Sequence, residues 1–323
     1  MGIPSSLSET AAARQPAADD IVDRLAAGDP AALARCITLL ESGDETAYLI
    51  HRRVCAKAGR AAVIGFTGAP GAGKSTLIDA YIGALRARGR TVAVAAVDPT
   101  SPISGGAILG DRVRMRRHSE DPGVFIRSVA SRGHLGGLSE SIHRIVDAMD
   151  AAGRDVVIVE TVGTGQSEIE VTEIADICVV VNAPNMGDDV QAMKAGVLEI
   201  ADVLVVNKAD LPLAQRTTDQ LKNMLKLRQD KQDVPVIETV AIKEAGVEAL
   251  CAAIDGLLAS RAGDKKNNRQ RRMRRLIAQA AGRAVHDRIR IAGGSELDGL
   301  VTAAAAGEIG IAEAAERVLK LIL

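Results

Sequence analysis

Nine consecutive residues constrain the fold of this chain more than any other stretch. They read Gly68-Ala69-Pro70-Gly71-Ala72-Gly73-Lys74-Ser75-Thr76, and the first eight match the pattern G-x-x-x-x-G-K-[ST]. An apolar run precedes them and a helical pattern, Lys74–Arg88, follows, which is the strand–loop–helix context that the motif requires. The glycines let backbone amides turn towards phosphate oxygens. The stretch therefore predicts a phosphate-binding loop, in which Lys74 contacts the β- and γ-phosphates and Ser75 holds Mg²⁺.

The composition agrees with a buried parallel sheet and excludes several classes of protein. Hydrophobic residues make up 47% of the 323 residues, but aromatic residues only 1%, so Val, Ala, Leu and Ile must form the core. A net charge of −1 provides no overall field for nucleic acid or a membrane. The four cysteines lack C-x-x-C spacing, which favours reduced thiols. With neither a membrane-length apolar run nor a signal-peptide pattern, we expect a cytoplasmic protein that binds neither membrane nor nucleic acid.

The order of apolar and helical patterns predicts an α/β fold: a doubly wound, mainly parallel sheet of the P-loop nucleotide-hydrolase type. Predicted strands are 61–66, 91–97, 124–129, 155–160, 177–182, 203–207 and 234–239. Predicted helices are 31–41, 45–58, 74–88, 138–152, 190–200, 213–227, 274–290, 297–306 and 311–323. We expect a disordered lead over 1–18, a helical domain over 19–59, the nucleotide-binding domain over 60–262 and a helical arm over 263–323.

A second motif, Asn207-Lys208-Ala209-Asp210, follows the strand ending near residue 207. In N-K-x-D, the Asp210 carboxylate can accept two hydrogen bonds from the guanine edge, whereas adenine lacks that pair of donors. The stem of Lys208 can cover the base, and Asn207 can connect this segment to the phosphate loop. Further on, we expect a backbone amide of Val240 or Ala241 to meet guanine O6. The motif predicts GTP and GDP as ligands.

Residues after two other strands are candidates for the metal and for γ-phosphate sensing. Asp98 ends the second strand, and Asp111 follows a glycine-rich stretch; either carboxylate could join Ser75 as a Mg²⁺ ligand. An isolated Asp at a turn or helix start is the alternative for both. Glu160 ends the next strand, where a metal-binding acid is expected.

The segment after Glu160 lacks one catalytic residue. Gly163 can present its amide to the γ-phosphate, but Thr164 stands where many GTPases carry a water-orienting Gln. Gln166, two residues on, is a candidate for that role. We therefore expect slow hydrolysis without a partner.

Taken together, these motifs resemble the MeaB/ArgK family, the GTPase chaperones of cobalamin-dependent acyl-CoA mutases. The resemblance covers about residue 20 to the C-terminus, and its most specific segments are 68–76, 98–102, 105–111, 160–168 and 187–194. It implies a homodimer with the C-terminal segment as the arm, and a third switch loop through which the mutase accelerates hydrolysis. It also implies roles for Asp188 and Lys194, which by themselves would be a helix cap and a surface lysine. The family's function implies control of cofactor loading and removal of damaged cobalamin, with no cobalamin bound by this chain. Asn185 stands where many members have Gly.

Three other functions are alternatives to that of a mutase chaperone. A nickel-insertion GTPase of related fold would carry a His-rich or Cys-x-Cys-Cys metal store, which the sequence lacks. An ATP-dependent kinase of a transport system conflicts with Asp210. A nucleic-acid binder could use the basic run Lys265–Arg275, but no aromatic residues interleave it. The mutase served stays open: methylmalonyl-CoA mutase is the default, and isobutyryl-, 2-hydroxyisobutyryl- and ethylmalonyl-CoA mutases are relatives.

Overall fold

The apolar runs form one seven-stranded sheet. A computed structural model describes residues 18–42, 44–98, 115–130, 141–161, 170–184, 199–226, 233–261, 265–292 and 295–322. The strands are β1 (Ala62–Thr67), β2 (Val92–Asp98), β3 (Val124–Ala130), β4 (Val156–Glu160), β5 (Ile177–Asn182), β6 (Val203–Val206) and β7 (Val236–Glu238). Each lies within two residues of its predicted bounds, because short β-branched runs between turns fit a buried strand well.

All neighbouring strands are parallel, and their order is β3-β2-β4-β1-β5-β6-β7. The predicted doubly wound α/β fold is therefore confirmed. Strand β1 lies between β4 and β5, so the carboxyl ends of these three strands meet at one edge. In such sheets ligands bind beyond that edge, where the strand order reverses.

Helices cover both faces of the sheet. Their bounds are α1 (18–26), α2 (Pro30–Ser42), α3 (Glu45–Lys57), α4 (Lys74–Ala87), α5 (Ser141–Ala151), α6 (Ala214–Lys226), α7 (Val247–Ser260), α8 (Lys265–Ala292), α9 (Ser295–Ala305) and α10 (Ile311–Ile322). One core includes residues of α1, α2, α3, α5 and α6, and the other includes residues of α4 and α7. Alternate strand residues point to opposite cores: Val63 faces the first, and Ile64 and Phe66 face the second. The N-terminal helices thus share a core with the sheet.

The basic segment differs most from its predicted structure. We expected a helix only from Arg274, whereas α8 begins at Lys265 and includes the whole basic run. Lys and Arg have high helix propensity, and no Gly or Pro interrupts the segment before Gly282. The predicted helix 190–200 lies almost entirely outside the described residues.

Contacts along the chain define two units, and the boundary falls within α8, between Arg269 and Gln270. The second unit comprises the rest of α8, with α9 and α10. Several of its apolar side chains are exposed, among them Ile277, Val301, Ile311 and Leu321. In the described part of the chain, no helix combines the length and apolar character needed to cross a bilayer.

Candidate functional site

The loop between β1 and α4 has a shape that two glycines permit. Gly68 has φ 136°, and a Cβ there would lie 2.1 Å from the carbonyl oxygen of Val181. Gly73 has φ 88°, and its Cβ would lie 2.5 Å from Nδ2 of Asn207. A side chain at either position would collide with neighbouring atoms in a backbone conformation that L-residues avoid. These two glycines let the loop pack directly on β5 and on the segment after β6.

Lys74, the first residue of α4, folds back over this loop. Its Nζ donates to the carbonyl oxygens of Gly68, at 2.8 Å, and Ala69, at 3.1 Å, and the residue is only 7% exposed. The ammonium group therefore lies beside the N-terminus of a helix, where the partial charge of the backbone amides also favours an anion. The arrangement suits a phosphate group.

Three oxygen-bearing side chains lie buried near the carboxyl ends of β2 and β4 and at the start of α4. The Ser75 hydroxyl donates to Oε1 of Glu160 at 2.7 Å. Ala96 of β2 pairs with Glu160 in β4, so Asp98 lies two residues further along the neighbouring strand. Asp98, Glu160 and Ser75 are 3–5% exposed. A hydroxyl and two carboxylates are hard oxygen donors, and such a set fits Mg²⁺.

Asn207 connects three segments through one buried side chain. Its Nδ2 donates to the carbonyl oxygen of Ala72 in the phosphate loop at 2.9 Å. Its Oδ1 accepts from Oγ1 of Thr239 at 3.1 Å and from the amide of Ala241 at 3.2 Å. Asn207 is 2% exposed. The phosphate loop and the turn after β7 are thereby held against the same amide.

Lys208 and Asp210 lie closer to the surface. Lys208 has φ 57°, an uncommon value for a residue with a side chain, and its Nζ donates to the carbonyl oxygen of Gly71 at 2.8 Å. Asp210 Oδ2 accepts from Nζ of Lys243 at 3.1 Å, with 35% of the Asp210 and 63% of the Lys243 side chain exposed. An exposed lysine can leave at low cost, so this carboxylate can exchange its partner for the edge of a base.

The amides expected at guanine O6 already have acceptors. The amide of Val240 donates to the carbonyl oxygen of Ala245 at 3.0 Å, and that of Ala241 donates to Asn207. An O6 contact would require one of them to be released or shared. These acceptors could not be predicted from the sequence, because the pairing of Val240 with Ala245 depends on how the chain bends back at the turn Ala241–Lys243.

An ion-pair network connects α4 to that turn. Arg117 contacts Asp79 of α4 at 2.6 Å and Glu244 at 2.8 Å. Burial raises the pKa of the Asp79 carboxyl, while Arg117 and His118 oppose that shift. Arg117 thus lies between the first helix after the phosphate loop and the base-side turn.

The comparisons with known proteins give the family. Residues 33–293 match the family model described as "Methylmalonyl Co-A mutase-associated GTPase MeaB". This chain belongs to the MeaB family. It is a GTPase.

Individual relatives and one solved structure are similar to this chain over most of its length. A protein of Pyrococcus abyssi named as a GTPase is 47% identical over 266 residues, which cover 80% of this chain and 82% of that protein. The "methylmalonic aciduria type A homolog, mitochondrial" of Caenorhabditis briggsae is 35% identical over 285 residues, which cover 81% and 69%. The crystal structure of a "LAO/AO transport system kinase" superposes with a TM-score of 0.70 at 26% identity, covering 94% of this chain and 97% of that one.

Within this MeaB-family site, three buried polar residues at strand ends had no predicted role: Asn182, Thr161 and Thr67. Asn182 ends β5, is fully buried, and has no hydrogen-bond partner for either side-chain amide atom among the described residues. The hydroxyls of Thr161 and Thr67 form a buried hydrogen bond of 2.9 Å between the ends of β4 and β1. The sequence signal that could have identified Asn182 is its position as a polar residue at the end of an apolar strand.

Several predicted residues of this GTPase lie outside the described segments. They are Asp111, Gly163, Gln166, Asp188 and Lys194. The structure brings together the others near the carboxyl ends of the strands around β1: the loop Gly68–Thr76, Asp98, Glu160, and the segment beginning at Asn207.

Proposed function

We propose that this MeaB-family GTPase is a chaperone that couples GTP binding and hydrolysis to the state of a cobalamin-dependent acyl-CoA mutase. The observation that carries the nucleotide part is the side chain of Asn207, which connects the loop suited to phosphate with the segment suited to a base. The family description, which names a mutase, supports the second part.

The phosphate end acts through groups that are already placed. Lys74 exchanges its two carbonyl acceptors for β- and γ-phosphate oxygens, and backbone amides of the glycine loop donate to the same anion. Ser75, Glu160 and Asp98 would hold Mg²⁺, which when bound neutralises charge on those oxygens. Formation of that site requires the Ser75 oxygen to turn a lone pair towards the ion, while its proton can stay on Oε1 of Glu160.

The base end acts through Asp210. Its carboxylate gives up Lys243 and accepts from N1–H and the exocyclic amine of guanine. An adenine at that position would leave a desolvated carboxylate without donors, which costs about 1–3 kcal/mol. Lys208 covers the base while its ammonium group stays on Gly71.

The slow step is proposed to be assembly of the residues that act on the γ-phosphate. The sequence motifs predict that task for Gly163 and Gln166, and the family resemblance adds Asp188 and Lys194. Thr164 takes the position of the usual water-orienting Gln. A bound mutase would bring these residues to the γ-phosphate and accelerate hydrolysis. We further propose a homodimer formed through the arm over 263–323, with no cobalamin held by this chain.

The test is GTP hydrolysis measured with each purified acyl-CoA mutase in turn. We expect acceleration of at least ten-fold by one of them, lost in Asp188→Asn and kept in Asp219→Asn, an exposed acid on α6. Methylmalonyl-CoA mutase is the first candidate because the family description and the name of the C. briggsae relative both point to methylmalonyl metabolism. If none of the mutases changes the rate, the chaperone function is wrong, although the GTPase remains.

A second candidate is an ATP-dependent kinase of a transport system. The solved structure with the same fold is named as such a kinase. Competition between ATP and GTP for the purified chain separates the two functions, since Asp210 favours GTP. Equal affinity for both nucleotides would favour the kinase.

A further inference from the structure

A second group of ligand-type side chains lies between helices α3 and α5, and none of its members belongs to the nucleotide site. His51 and Cys55 are four residues apart and therefore on one face of α3, and Asp147 lies on α5. His51 Nε2 lies 2.9 Å from Oδ2 of Asp147 and 3.3 Å from Sγ of Cys55. Cys55 Sγ lies 3.7 Å from the same Oδ2. Among the described residues, this is the one such group of three.

We propose that His51 Nε2, Cys55 Sγ and Asp147 Oδ2 bind one divalent transition-metal ion of the zinc class. Zinc takes imidazole, thiolate and carboxylate ligands in a tetrahedron with bonds of about 2.0–2.3 Å. Those bonds place neighbouring ligand atoms about 3.4–3.6 Å apart. The two distances to sulfur already match, and the His51–Asp147 pair must open by about half an ångström. Water fills the fourth position.

Charge balance supports an ion at this point. The His51 and Asp147 side chains are only 11% and 8% exposed, so the site is screened from bulk water. On binding, the Cys55 thiol loses its proton to solvent and becomes the thiolate ligand. Thiolate and carboxylate together then balance a divalent cation.

Contacts between neighbouring residues lie on both sides of the cluster. One turn before His51, Tyr48 packs under the guanidinium of Arg144, at 5.6 Å. One turn beyond Asp147, Asp150 accepts from the amides of residues 59–61. These contacts fix α3 against α5 on either side of the cluster, so the ligands are placed before the ion arrives.

Burial raises the pKa of Cys55 to about 12; Asp147 adds to the shift, and Arg269 opposes it. Arg269 donates to the carbonyl oxygen of Cys55, and its charge favours the thiolate that a metal requires. The ion would hold α3, and with it the N-terminal helices, on the face of the sheet.

The test uses the full chain, stripped with chelator, reduced, saturated with GDP and excess Mg²⁺, and titrated with Co²⁺ without oxygen. Thiolate-to-cobalt charge-transfer absorption and intense four-coordinate visible bands are expected at one ion per chain, and Zn²⁺ should abolish them. Cobalt at the oxygen ligands of the nucleotide site would show neither signal, so the two sites are distinguished.

Variants decide the assignment. Cys55→Ser should lose the charge-transfer absorption and bind Zn²⁺ about 100-fold more weakly, since even outer ligands change affinity about 10- to 100-fold. Asp147→Asn, which keeps the shape of the side chain, should weaken Zn²⁺ about ten-fold or more, and it serves if Cys55→Ser does not fold. The control is Cys251→Ser, a buried thiol on α7, which should keep the absorption. No absorption in the unmodified chain, or absorption that survives Cys55→Ser, would show that the cluster is only a set of hydrogen bonds.

Discussion

The two ends of the nucleotide site hold their polar side chains in different ways. At the phosphate end, Lys74, Ser75 and Glu160 are at most 7% exposed and are bonded within the protein. At the base end, Asp210 has one third of its side chain in solvent and contacts an exposed lysine. The polar groups of the phosphate end are preorganised and shielded from solvent. At the base end, by contrast, the Asp210 carboxylate binds its ligand by exchanging one weak partner, Lys243, for the base. Affinity should therefore depend most on the first end and selectivity on the second.

The largest effect is expected from removing the buried ammonium of the phosphate end. Lys74→Ala should lower kcat/KM for GTP by about 100- to 1,000-fold, because it removes a charge that acts on the transferred phosphate oxygens. Phosphate release from GTP measures the effect.

Lys208→Ala is the matched control for that change. Both lysines donate to a carbonyl of the same loop, but Lys208 is proposed to cover the base. We expect a higher KM and a change in kcat of less than about three-fold. Similar losses of kcat in the two variants would contradict the division between the ends.

Asn207→Ala should affect folding as well as binding, because the side chain connects both ends. Its loss leaves the Ala72 carbonyl, the Thr239 hydroxyl and the Ala241 amide without their acceptor or donor. We expect the free energy of unfolding to fall by about 2–4 kcal/mol. Urea denaturation without nucleotide measures it, and a loss below about 0.5 kcal/mol would show that Asn207 does not join the segments.

Asp210→Asn should change selectivity and leave stability almost intact. The exposed pair with Lys243 contributes at most about 1 kcal/mol, whereas GTP loses a charged acceptor worth about 1–3 kcal/mol, or about 5- to 150-fold in Kd. The new amide can donate, so a purine with an oxo group at position 2 should bind better than GTP. Calorimetric titration with both nucleotides checks this, and unchanged GTP affinity would remove Asp210 from the base site.

The smallest effect is expected from a half-buried ion pair, Arg86 with Asp121, whose contribution can be compared with that of the exposed pair at Asp210. Arg86 contacts both carboxylate oxygens of Asp121, at 2.8 and 3.0 Å, and holds the pKa of that carboxyl below its usual value. Since the pKa is lowered on folding, the stabilisation is present above the unfolded pKa of about 3.9 and is lost as pH falls through the folded pKa. Asp121→Asn should cost about 1 kcal/mol at pH 7 and progressively less at acidic pH. Urea denaturation at a series of pH values measures it; a difference that does not shrink in acid would mean that charge is not the cause.

Most helices and strands could be predicted from the sequence because each depends mainly on the residues within it and next to it. Short β-branched runs bounded by turns, a glycine loop before a helix and a polar tetrad after a strand are all contiguous signals. The strand β5 was predicted at its observed bounds, and β6 within one residue.

Relations across the chain could not be predicted in the same way. The contact of Asn207 with Ala72 spans 135 positions, and the contact of Cys55 with Asp147 spans 92. Neither follows from periodicity, because both depend on how distant elements pack. The early start of α8 had a different cause: the predicted helix began at Arg274, whereas the helix propensity of the basic run extends it back to Lys265.

The shared amide of Asn207 also bears on how long a nucleotide stays bound. The side chain of Asn207 holds both the phosphate loop and the turn after β7. Because the two segments are linked in this way, a departing GDP cannot lose its contacts at one of them while the contacts at the other stay fully formed. We expect release to be a single concerted event with a long residence time. Any protein that speeds exchange would then need to disturb only this one side chain, and it could do so by moving either the phosphate loop or the turn after β7.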